Sequence, residues 1–442
     1  MWQVIYLCSL AASLAQAQTS QENETCIMSD SNLCPVDDLT PSALDSSILI
    51  YPGGATRCAF DDFSDPNVSY TTNSTYFFQV FPASSTTKLM LYFQGGGACV
   101  DELTCAFSLQ CMFETFSANA KPLSHGVLNR SNEENSFNDY NIVHLPYCTG
   151  DLHIGNSVKS DRSSGLDALL NMPECLGRNM TLHQNGYNNT KAVLDWAVEN
   201  YPDPDEIIIT GYSAGALGAQ MLSALVADTW QVNENDIRYS VLSDSYVGVL
   251  HKDEAGGKIL SYYGSCDVDL KLTDSLQDQC EESSLSFIDI VTHMILYTPS
   301  AQWLFLQSMY DQVQRYFYQL VKDGILGYPF PDLISGEDFY TKVTAIMDEY
   351  KNISDNISTF EVNNSQHVFM TDNEYYDNVI RTPGGDSLGD YLEKWLVANS
   401  SVDDDASTSA SSGGGDTNQS AAIHLQHALL LTFIVIIAML VQ

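Results

Sequence analysis

The sequence is poor in basic residues. Of its 442 residues, 18 are Lys or Arg and 56 are Asp or Glu, so the formal net charge is -38 at pH 7. Because a charge of this sign repels the phosphates of DNA and RNA at long range, we expect no nucleic-acid partner. Disorder of the whole chain is also excluded, because 44% of the residues are hydrophobic and can form a packed core.

The sequence also lacks the motifs of nucleotide and zinc sites. It has no Walker lysine motif, and "GGGACV" does not complete a dinucleotide-binding fingerprint, because Val100 stands where the third glycine should be. No spacing of Cys and His residues suggests zinc. We therefore expect neither a cofactor nor a metal ion.

The apolar run near the start of the chain is too short to span a bilayer, which takes roughly 20 apolar residues. This run, "VIYLCSLAASLAQA", closes on Ala-Gln-Ala, a cleavage-site pattern, and predicts a secretory signal peptide over residues 1–17. The alternative, an N-terminal membrane anchor, is disfavoured by the shortness of the run.

The other end of the chain predicts a lipid anchor. Residues 399–420 are rich in Ser, Gly and Asp and are expected to form a flexible stalk. Residues 421–442 end in the apolar run "ALLLTFIVIIAMLVQ". Small residues, a polar spacer and an apolar tail follow one another in the order of a GPI-attachment signal, with Ser412 or Gly413 as the attachment residue. A single transmembrane helix is the alternative.

The cysteines and sequons are typical of a secreted glycoprotein. Asn-X-Ser/Thr sequons recur along the chain. Of the 11 cysteines, an even number remains once Cys8 leaves with the signal peptide. In an oxidising compartment these residues are expected to form disulfides. The sequence leaves their pairing open, although Cys266 and Cys280 are close enough along the chain to close a local loop.

Residues 25–398 contain no Pro- or Ser-rich break and are predicted to form one catalytic domain. Apolar, β-prone runs such as "KLMLYFQ", "YNIVHLPY", "EIIIT" and "RYSVLSD" alternate with helix-like runs such as "NTKAVLDWAVENY". This alternation predicts an α/β fold, with a mostly parallel sheet flanked by helices. The segment 287–324 looks helical throughout and is predicted to form a cap-like insertion over the site.

The stretch "IIITGYSAGALGAQ" places one Ser between two glycines, after a predicted strand and before a predicted helix. It contains the pattern G-x-S-x-G over residues 211–215. On such a sharp strand-to-helix turn, small neighbours let strand and helix approach closely, and the Ser hydroxyl stands clear of the sheet. The pattern predicts that Ser213 is a nucleophile. The alternative is an ordinary glycine-rich turn.

A serine nucleophile needs a base and an acid that orients the base, and in α/β-hydrolases the acid precedes the His in the chain. Three His residues follow Ser213 before the C-terminal tail. His251 follows the Ser closely, and His293 lies in a helix-like run where a packed role is expected. His367 follows the strand-like "TFEV" in a polar loop, so it is the predicted base, with a surface loop His as the alternative.

The residues alone leave two acids open. Asp244 ends the strand-like "YSVLSD", whereas Asp311 lies in "MYDQVQ". Chain topology slightly favours Asp244. The oxyanion hole is predicted from "LMLYFQGGGAC", a strand that runs into a glycine-rich loop whose N–H groups can face a tetrahedral intermediate. The N–H of Ala214, next to the nucleophile, is the expected second donor. A flexible turn is the alternative to an oxyanion loop.

Four segments, in this order, carry a resemblance to a known family: "FQGGGAC", "PYCTGDLHIGN", "HQNGYNNTKAVLDW" and "GYSAGALGA". With them the chain resembles the pectin acetylesterase family, which includes the animal carboxylesterase Notum. The resemblance implies an α/β-hydrolase fold with a Ser-Asp-His triad. It matches "YDQVQ" to the family's acid and so favours Asp311 over Asp244, it matches His367 to the family's His, and it implies Gly96 and Gly97 as oxyanion donors.

The leading hypothesis is a secreted, membrane-tethered serine carboxylesterase that removes acetyl groups from an acylated glycan through an acyl-serine intermediate. The net charge of -38 favours a neutral or weakly charged glycan over polygalacturonate. Two alternatives stay open: a Notum-like deacylase that removes a longer acyl chain from a protein, and an inactive hydrolase scaffold that serves as a cell-surface binding module. A complete triad favours an enzyme over the scaffold.

Overall fold

The computed structural model describes residues 24–64, 71–100, 124–160, 181–252, 254–323, 332–376 and 379–400. The predicted signal peptide, the tail and nearly all of the predicted stalk lie outside the described residues. Up to Trp395 the described elements belong to one structural unit. A second unit, Leu396–Gln442, is described only where the last helix ends, at Ser400. Among the described residues, no helix is long and apolar enough to cross a membrane.

The described residues form a large central sheet and two small ones. The strands are β1 (Thr25–Ile27), β2 (Ile48–Tyr51), β3 (Phe63–Ser64), β4 (Thr71–Thr72), β5 (Phe78–Phe81), β6 (Lys88–Phe93), β7 (Asn141–Leu145), β8 (Ser157–Lys159), β9 (Leu182–Gln184), β10 (Glu206–Tyr212), β11 (Arg238–Asp244), β12 (Gln302–Ser308) and β13 (Ile357–Val362). Strands β3 and β4 pair with each other, as do β8 and β9.

The central sheet has nine strands in the order β1-β2-β5-β7-β6-β10-β11-β12-β13. From β7 to β13 every neighbouring pair is parallel, and only the β2–β5 and β5–β7 pairs are antiparallel. The mostly parallel sheet predicted from the sequence is therefore confirmed. Because parallel strands end at the same edge, the loops after β6, β10, β11, β12 and β13 all leave the sheet on one side.

Helices connect the strands. They are α1 (Gly186–Asn200), α2 (Ala214–Thr229), α3 (Glu254–Tyr263), α4 (Asp274–Glu281), α5 (Phe287–Tyr297), α6 (Gln312–Asp323), α7 (Gly336–Ile353) and α8 (Leu388–Ser400). Short 3-10 turns occur at Val36–Asp38, Gly126–Leu128, Ser265–Asp267 and Asn373–Tyr376. Helix α2, which follows the predicted nucleophile, is buried along almost its whole length, so its position relative to the sheet is set by packing.

The segment 287–324 is only partly helical, which corrects the sequence-based prediction. Helices α5 and α6 form as expected, but Gln302–Ser308 between them is strand β12, which lies between β11 and β13 in the central sheet. All but the first residue of this strand are buried. A strand buried on both faces reads as a continuous apolar run without a period of two, so its pattern resembles that of a buried helix.

Disulfides tie the peripheral segments to this framework. Among the described residues, bonds join Cys26 to Cys34, Cys58 to Cys148, and Cys266 to Cys280. The last of these is the local loop expected from the sequence. The Cys58–Cys148 bond spans 90 residues and anchors the segment that leaves β7. Cys99, next to the glycine-rich loop, is also disulfide-bonded.

Candidate active site

Ser213 lies on a sharp turn between β10 and α2. Its φ of 54° and ψ of -121° fall where a non-glycine residue is strained. The turn is held in place because the Ser213 N–H donates to the carbonyl of Asp244, at 2.8 Å, at the end of the neighbouring strand β11. The side chain therefore leaves the backbone at the edge of the sheet where the parallel strands end.

The glycines around Ser213 allow the backbone segments to approach closely. A Cβ atom at Gly211 would lie 2.5 Å from the carbonyl oxygen of Gly215 and 2.6 Å from that of Phe93. A Cβ atom at Gly215 would collide with the same Phe93 oxygen. Both distances are far below van der Waals contact, so the pattern G-x-S-x-G is required here for the steric reason that the sequence suggested.

The glycine-rich loop after β6 runs beside the nucleophile. A Cβ atom at Gly95 would lie 2.9 Å from Cβ of Ser213, so a larger residue would push the loop away. Gly96 and Gly97 have φ angles of 155° and 80°, which favour glycine. Gly97, Ser213 and Ala214 line one cavity. Two of the predicted oxyanion donors, Gly97 and Ala214, thus border the same cavity as the predicted nucleophile.

Asp311 and His367 meet in a hydrogen bond. The Nδ1 atom of His367 lies 2.8 Å from Oδ2 of Asp311, whose carboxylate is fully buried. Gln314 donates its backbone N–H to Oδ1 and its side-chain Nε2–H to Oδ2, both at 2.9 Å. Because Nδ1 is engaged, the other imidazole nitrogen, Nε2, is left for proton transfer. Among the described residues, Nε2 of His367 is buried and has no hydrogen-bond partner.

The sheet explains why these two residues meet. Strands β12 and β13 end side by side, with Ser308 opposite Val362. The loops that follow continue this pairing, because the N–H groups of Tyr310 and Gln312 donate to the carbonyls of Asn364 and Ser365. Asp311 lies between the donors Tyr310 and Gln312, and His367 follows the acceptor Ser365 by two residues. Asp311 and His367 are 56 positions apart in the chain, and parallel pairing brings them together.

The Asp311 carboxylate controls the ionisation of His367. Burial disfavours the charged imidazolium and by itself lowers the pKa of His367. The negative charge and the hydrogen bond of Asp311, together with the more distant charge of Asp244, outweigh burial and raise the pKa above its ordinary value. An imidazole whose cationic form is stabilised in this way is a stronger proton acceptor.

Asp244, the other candidate acid, holds the loop rather than the imidazole. Its Oδ2 atom accepts the backbone N–H groups of Phe369, at 2.9 Å, and Met370, at 2.8 Å. The Ser245 hydroxyl donates to Oδ1 of Asp244 at 2.8 Å and accepts the N–H of Val368 at 2.9 Å. The three residues that follow His367 are therefore tied to the end of β11. Chain order alone did not separate this task from that of the acid.

The other two His candidates after Ser213, His293 and His251, have packing roles. His293 lies in α5, and its Nε2 is hydrogen-bonded to the carbonyl of Lys271 at 2.7 Å. His251 packs edge-on against Tyr318, with ring centroids 6.4 Å apart. Of the three His residues that follow Ser213 before the tail, His367 is the one that contacts Asp311.

A mostly apolar cavity opens from Ser213 and His367. It encloses about 630 Å³ of space, part of which is open to solvent. Apart from Gln314, its other lining residues are glycine or carry apolar or aromatic side chains: Gly97, Ala98, Val100, Leu152, Ala214, Leu217, Tyr246, Val249, Leu250, Ile259, Tyr263, Phe287, Val313, Phe317, Tyr318 and Val321. Helices α5 and α6 supply part of this lining. Among the described residues, no group of three or more His, Cys, Asp or Glu side chains is arranged to hold a metal ion.

A mostly parallel sheet with a Ser on a strand-to-helix turn defines the α/β-hydrolase class of fold. Within this class, residues 71–328, more than half of the chain, match the family described as "Pectinacetylesterase". The chain therefore belongs to the pectinacetylesterase family. The resemblance seen in the four sequence segments is confirmed.

Individual relatives are distant. The palmitoleoyl-protein carboxylesterase NOTUM of Schmidtea mediterranea is 24% identical over 149 residues, which cover 32% of this chain and 25% of that protein. The match thus spans about a quarter of the relative's length. The crystal structure of the Wnt deacylase Notum from Drosophila superposes with a TM-score of 0.54 at 15% identity, over 79% of this chain and 92% of that one. The two proteins share a fold.

The two aspartates can be separated by substitution. We expect Asp311→Asn to lower kcat for an activated ester by about 10⁴-fold, because an amide stabilises neither the required tautomer nor the imidazolium. It should also shift the acidic limb of the kcat/KM profile to lower pH. Removing the carboxylate lowers the pKa of His367, so the imidazole becomes the neutral base at a lower pH. Steady-state kinetics from pH 5 to 9 measure both effects.

The matched control is Asp244→Asn. It should lower the thermal unfolding midpoint, because it removes an acceptor from the loop N–H groups, but it should lower kcat much less. The assignment of Asp311 is contradicted if both variants fold and Asp244→Asn is the more damaging of the two to kcat, or if the pH limb moves with Asp244→Asn alone.

Proposed function

We propose that this protein is a serine carboxylesterase that hydrolyses acyl esters through an acyl-serine intermediate. The single observation that carries the proposal is the buried Asp311–His367 hydrogen bond, which leaves Nε2 of His367 at the same cavity as Ser213. Membership of the pectinacetylesterase family supports the same chemistry. The chain order Ser, Asp, His is that of α/β-hydrolases.

The proposed reaction uses residues of this chain alone. Nε2 of His367 takes the proton of the Ser213 hydroxyl while Oγ attacks the ester carbonyl. The Asp311 carboxylate holds Nδ1–H and stabilises the imidazolium that forms. The N–H groups of Gly96, Gly97 and Ala214 stabilise the oxyanion. The imidazolium then protonates the leaving alkoxide, and water, activated by the same His, hydrolyses the acyl-serine.

The first test is covalent labelling of the purified, glycosylated protein with a fluorophosphonate probe. We expect labelling of wild type at Ser213, identified by peptide mass spectrometry, and none of Ser213→Ala. His367→Ala should fold but label very slowly, because the nucleophile then lacks its base. If the folded wild-type protein neither takes the label nor hydrolyses p-nitrophenyl acetate, the proposal of a serine carboxylesterase is contradicted. The alternative of an inactive binding scaffold is then favoured.

For the acyl group, the family name supports the sequence-based proposal of an acetyl ester on a glycan. A second candidate, a longer acyl chain, is favoured by the lining of the cavity. Its lining extends along α6 from Val313 to Val321, about two helical turns, which is more than an acetyl group can cover. The cavity is lined mainly by apolar groups, which gain free energy by covering further methylene groups rather than water.

Helix α6 supplies one wall of this cavity. Val313, Phe317 and Val321 recur every four residues and so lie on one face of the helix, and all three line the cavity. Ala98, whose side chain is small, lines the same cavity next to Gly97. The alternative drawn from Notum, a deacylase for a longer chain, is the substrate class that this geometry favours.

The acyl length is tested with p-nitrophenyl esters of acetate, butyrate, octanoate and palmitoleate. We expect octanoate to exceed acetate in kcat/KM by more than tenfold, or about 1.4 kcal/mol, because each buried methylene group is worth about 0.8 kcal/mol. Val321→Trp should remove this preference by filling the cavity, whereas acetate hydrolysis should change little. Lys322→Trp, which introduces the same residue at the adjacent exposed position of α6, should leave both rates unchanged.

Equal or better hydrolysis of acetate by wild type would contradict the longer acyl chain and support the acetylesterase. A comparison of acetylated xylan with acetylated pectin then decides the glycan. The strongly acidic chain should disfavour the anionic polymer, most strongly at low salt.

We also propose that the protein is secreted and held at the cell surface by a GPI anchor attached near the stalk. The support is the order of stalk and apolar tail in the sequence. A phosphatidylinositol-specific phospholipase should release the protein from intact cells, and deletion of residues 421–442 should send it into the medium. Retention after phospholipase treatment, with the tail still detectable, would favour a transmembrane segment instead.

A further inference from the structure

The segment "PYCTGDLHIGN" contributes no residue to the proposed triad, yet it lies against the glycine-rich loop. It follows β7, whose last residue Leu145 pairs with Phe93 at the end of β6. The two chains therefore leave the sheet side by side. We call residues 94–99 the oxyanion loop and residues 149–153 the TGDLH turn.

From the contacts between them we propose that His153 is a positioning residue for the reaction, and that it holds the oxyanion loop in the conformation that presents its N–H groups to the substrate. This inference rests on the proposed function. Nε2 of His153 lies 2.9 Å from the carbonyl oxygen of Gln94, the residue directly before the three glycines. Since a carbonyl can only accept, Nε2 carries the proton and donates it.

Other contacts fasten both ends of the oxyanion loop. The Tyr147 N–H donates to the side-chain oxygen Oε1 of Gln94 at 3.0 Å. At the far end of the loop, the Cys99 N–H donates to the carbonyl of Gly150 at 2.7 Å. The residues between Gln94 and Cys99 include the proposed oxyanion donors. Both ends of the loop are thus bound to the segment that follows β7.

The ring of His153 has no freedom to leave this position. It is buried, with its centroid 4.7 Å from the ring of Tyr147 and 5.1 Å, edge-on, from the ring of Phe93. Burial lowers the pKa of His153 to about 4, although the bond to Gln94 acts in the opposite direction. The imidazole is therefore neutral at pH 7, and its single N–H is the one that Gln94 accepts.

Backbone strain in the TGDLH turn aims this ring. Leu152 and His153 both have left-handed φ angles, 58° and 62°, which non-glycine residues rarely adopt in succession. The strain is held by the buried carboxylate of Asp151, which accepts the Thr149 hydroxyl at 2.6 Å and the Gly186 N–H at 2.7 Å. Strained residues that surrounding bonds over-determine are a mark of functional positioning.

A loop of three glycines needs such a clamp. Glycine has the greatest conformational freedom, so the loop by itself would sample many orientations of its N–H groups. Oxyanion donors stabilise a transition state only where they are already oriented. Losing the bond from His153 should therefore affect the chemical step more than substrate binding, since the acyl cavity is lined mainly by other residues.

The test compares His153→Phe with His144→Phe. Both replace a buried His by a ring of similar size, and His144 is hydrogen-bonded through Nδ1 to Gln79 of β5, at 3.0 Å, and not to the oxyanion loop. We expect His153→Phe to lower kcat for p-nitrophenyl esters by about 10²-fold, the effect of losing an oxyanion donor, with KM nearly unchanged. His144→Phe should retain kcat even where its unfolding midpoint falls.

His153→Gln is the conservative variant, because its amide can donate to the Gln94 carbonyl, and it should recover part of kcat. The inference is overturned if His153→Phe keeps wild-type kcat, or if both Phe variants lose kcat in proportion to their loss of stability. If His153→Phe does not fold, His153→Gln decides: a lowered kcat with KM nearly unchanged supports the clamp, and an unchanged kcat overturns it. If the wild-type protein takes no fluorophosphonate label, the proposed function itself is contradicted. The His153 and His144 variants do not test that proposal.

Discussion

The close backbone contact between the ends of β6 and β10 is the constraint on which the site depends. Gly211 and Gly215 must lack a Cβ atom because the Phe93 carbonyl lies against both of them. The contact places the loop after β6 beside Ser213, where Gly95 has no room for a side chain. Any residue larger than glycine at these points would separate the nucleophile from the loop that is proposed to stabilise its oxyanion. The strained turn at Ser213 is tolerated because β11 supplies the carbonyl that binds its N–H.

Buried carboxylates organise the loops around that contact. Burying a carboxylate is costly unless hydrogen bonds satisfy it, and Asp151, Asp244 and Asp311 each accept a backbone N–H group. Each of them thereby fastens a loop at the carboxyl edge of the sheet. Asp311 also meets the imidazole of His367, Asp244 holds the residues after it, and Asp151 holds the turn of His153. In a chain with a net charge of -38, these three buried acids act through local bonds, whereas the net charge itself acts at long range.

The cavity and the overall charge bear on different parts of a substrate. The cavity beside Ser213 is lined mainly by apolar side chains, so under the proposed function it selects the acyl group by apolar contact and not by charge. The strongly acidic chain is expected to repel an anionic carrier of the ester more than a neutral one, most strongly at low salt. Under the proposed function, the apolar face that α6 presents to the cavity favours an acyl chain longer than the acetyl group for which the family is named.

The sequence by itself determined the local parts: the strand, turn and helix around Ser213, the need for glycine on both sides of it, and the loop that carries His367. Each of these follows from residues adjacent in the chain, whose steric and periodic preferences act locally. Strand β12 escaped detection because a strand buried on both faces has the apolar pattern of a buried helix. Family resemblance was needed to favour Asp311 over Asp244, since the strand that precedes Asp311 was predicted to be helix. Only the tertiary structure decided which of them touches the imidazole, and that His153 binds the oxyanion loop, because parallel pairing brings together strand ends that lie far apart in the chain.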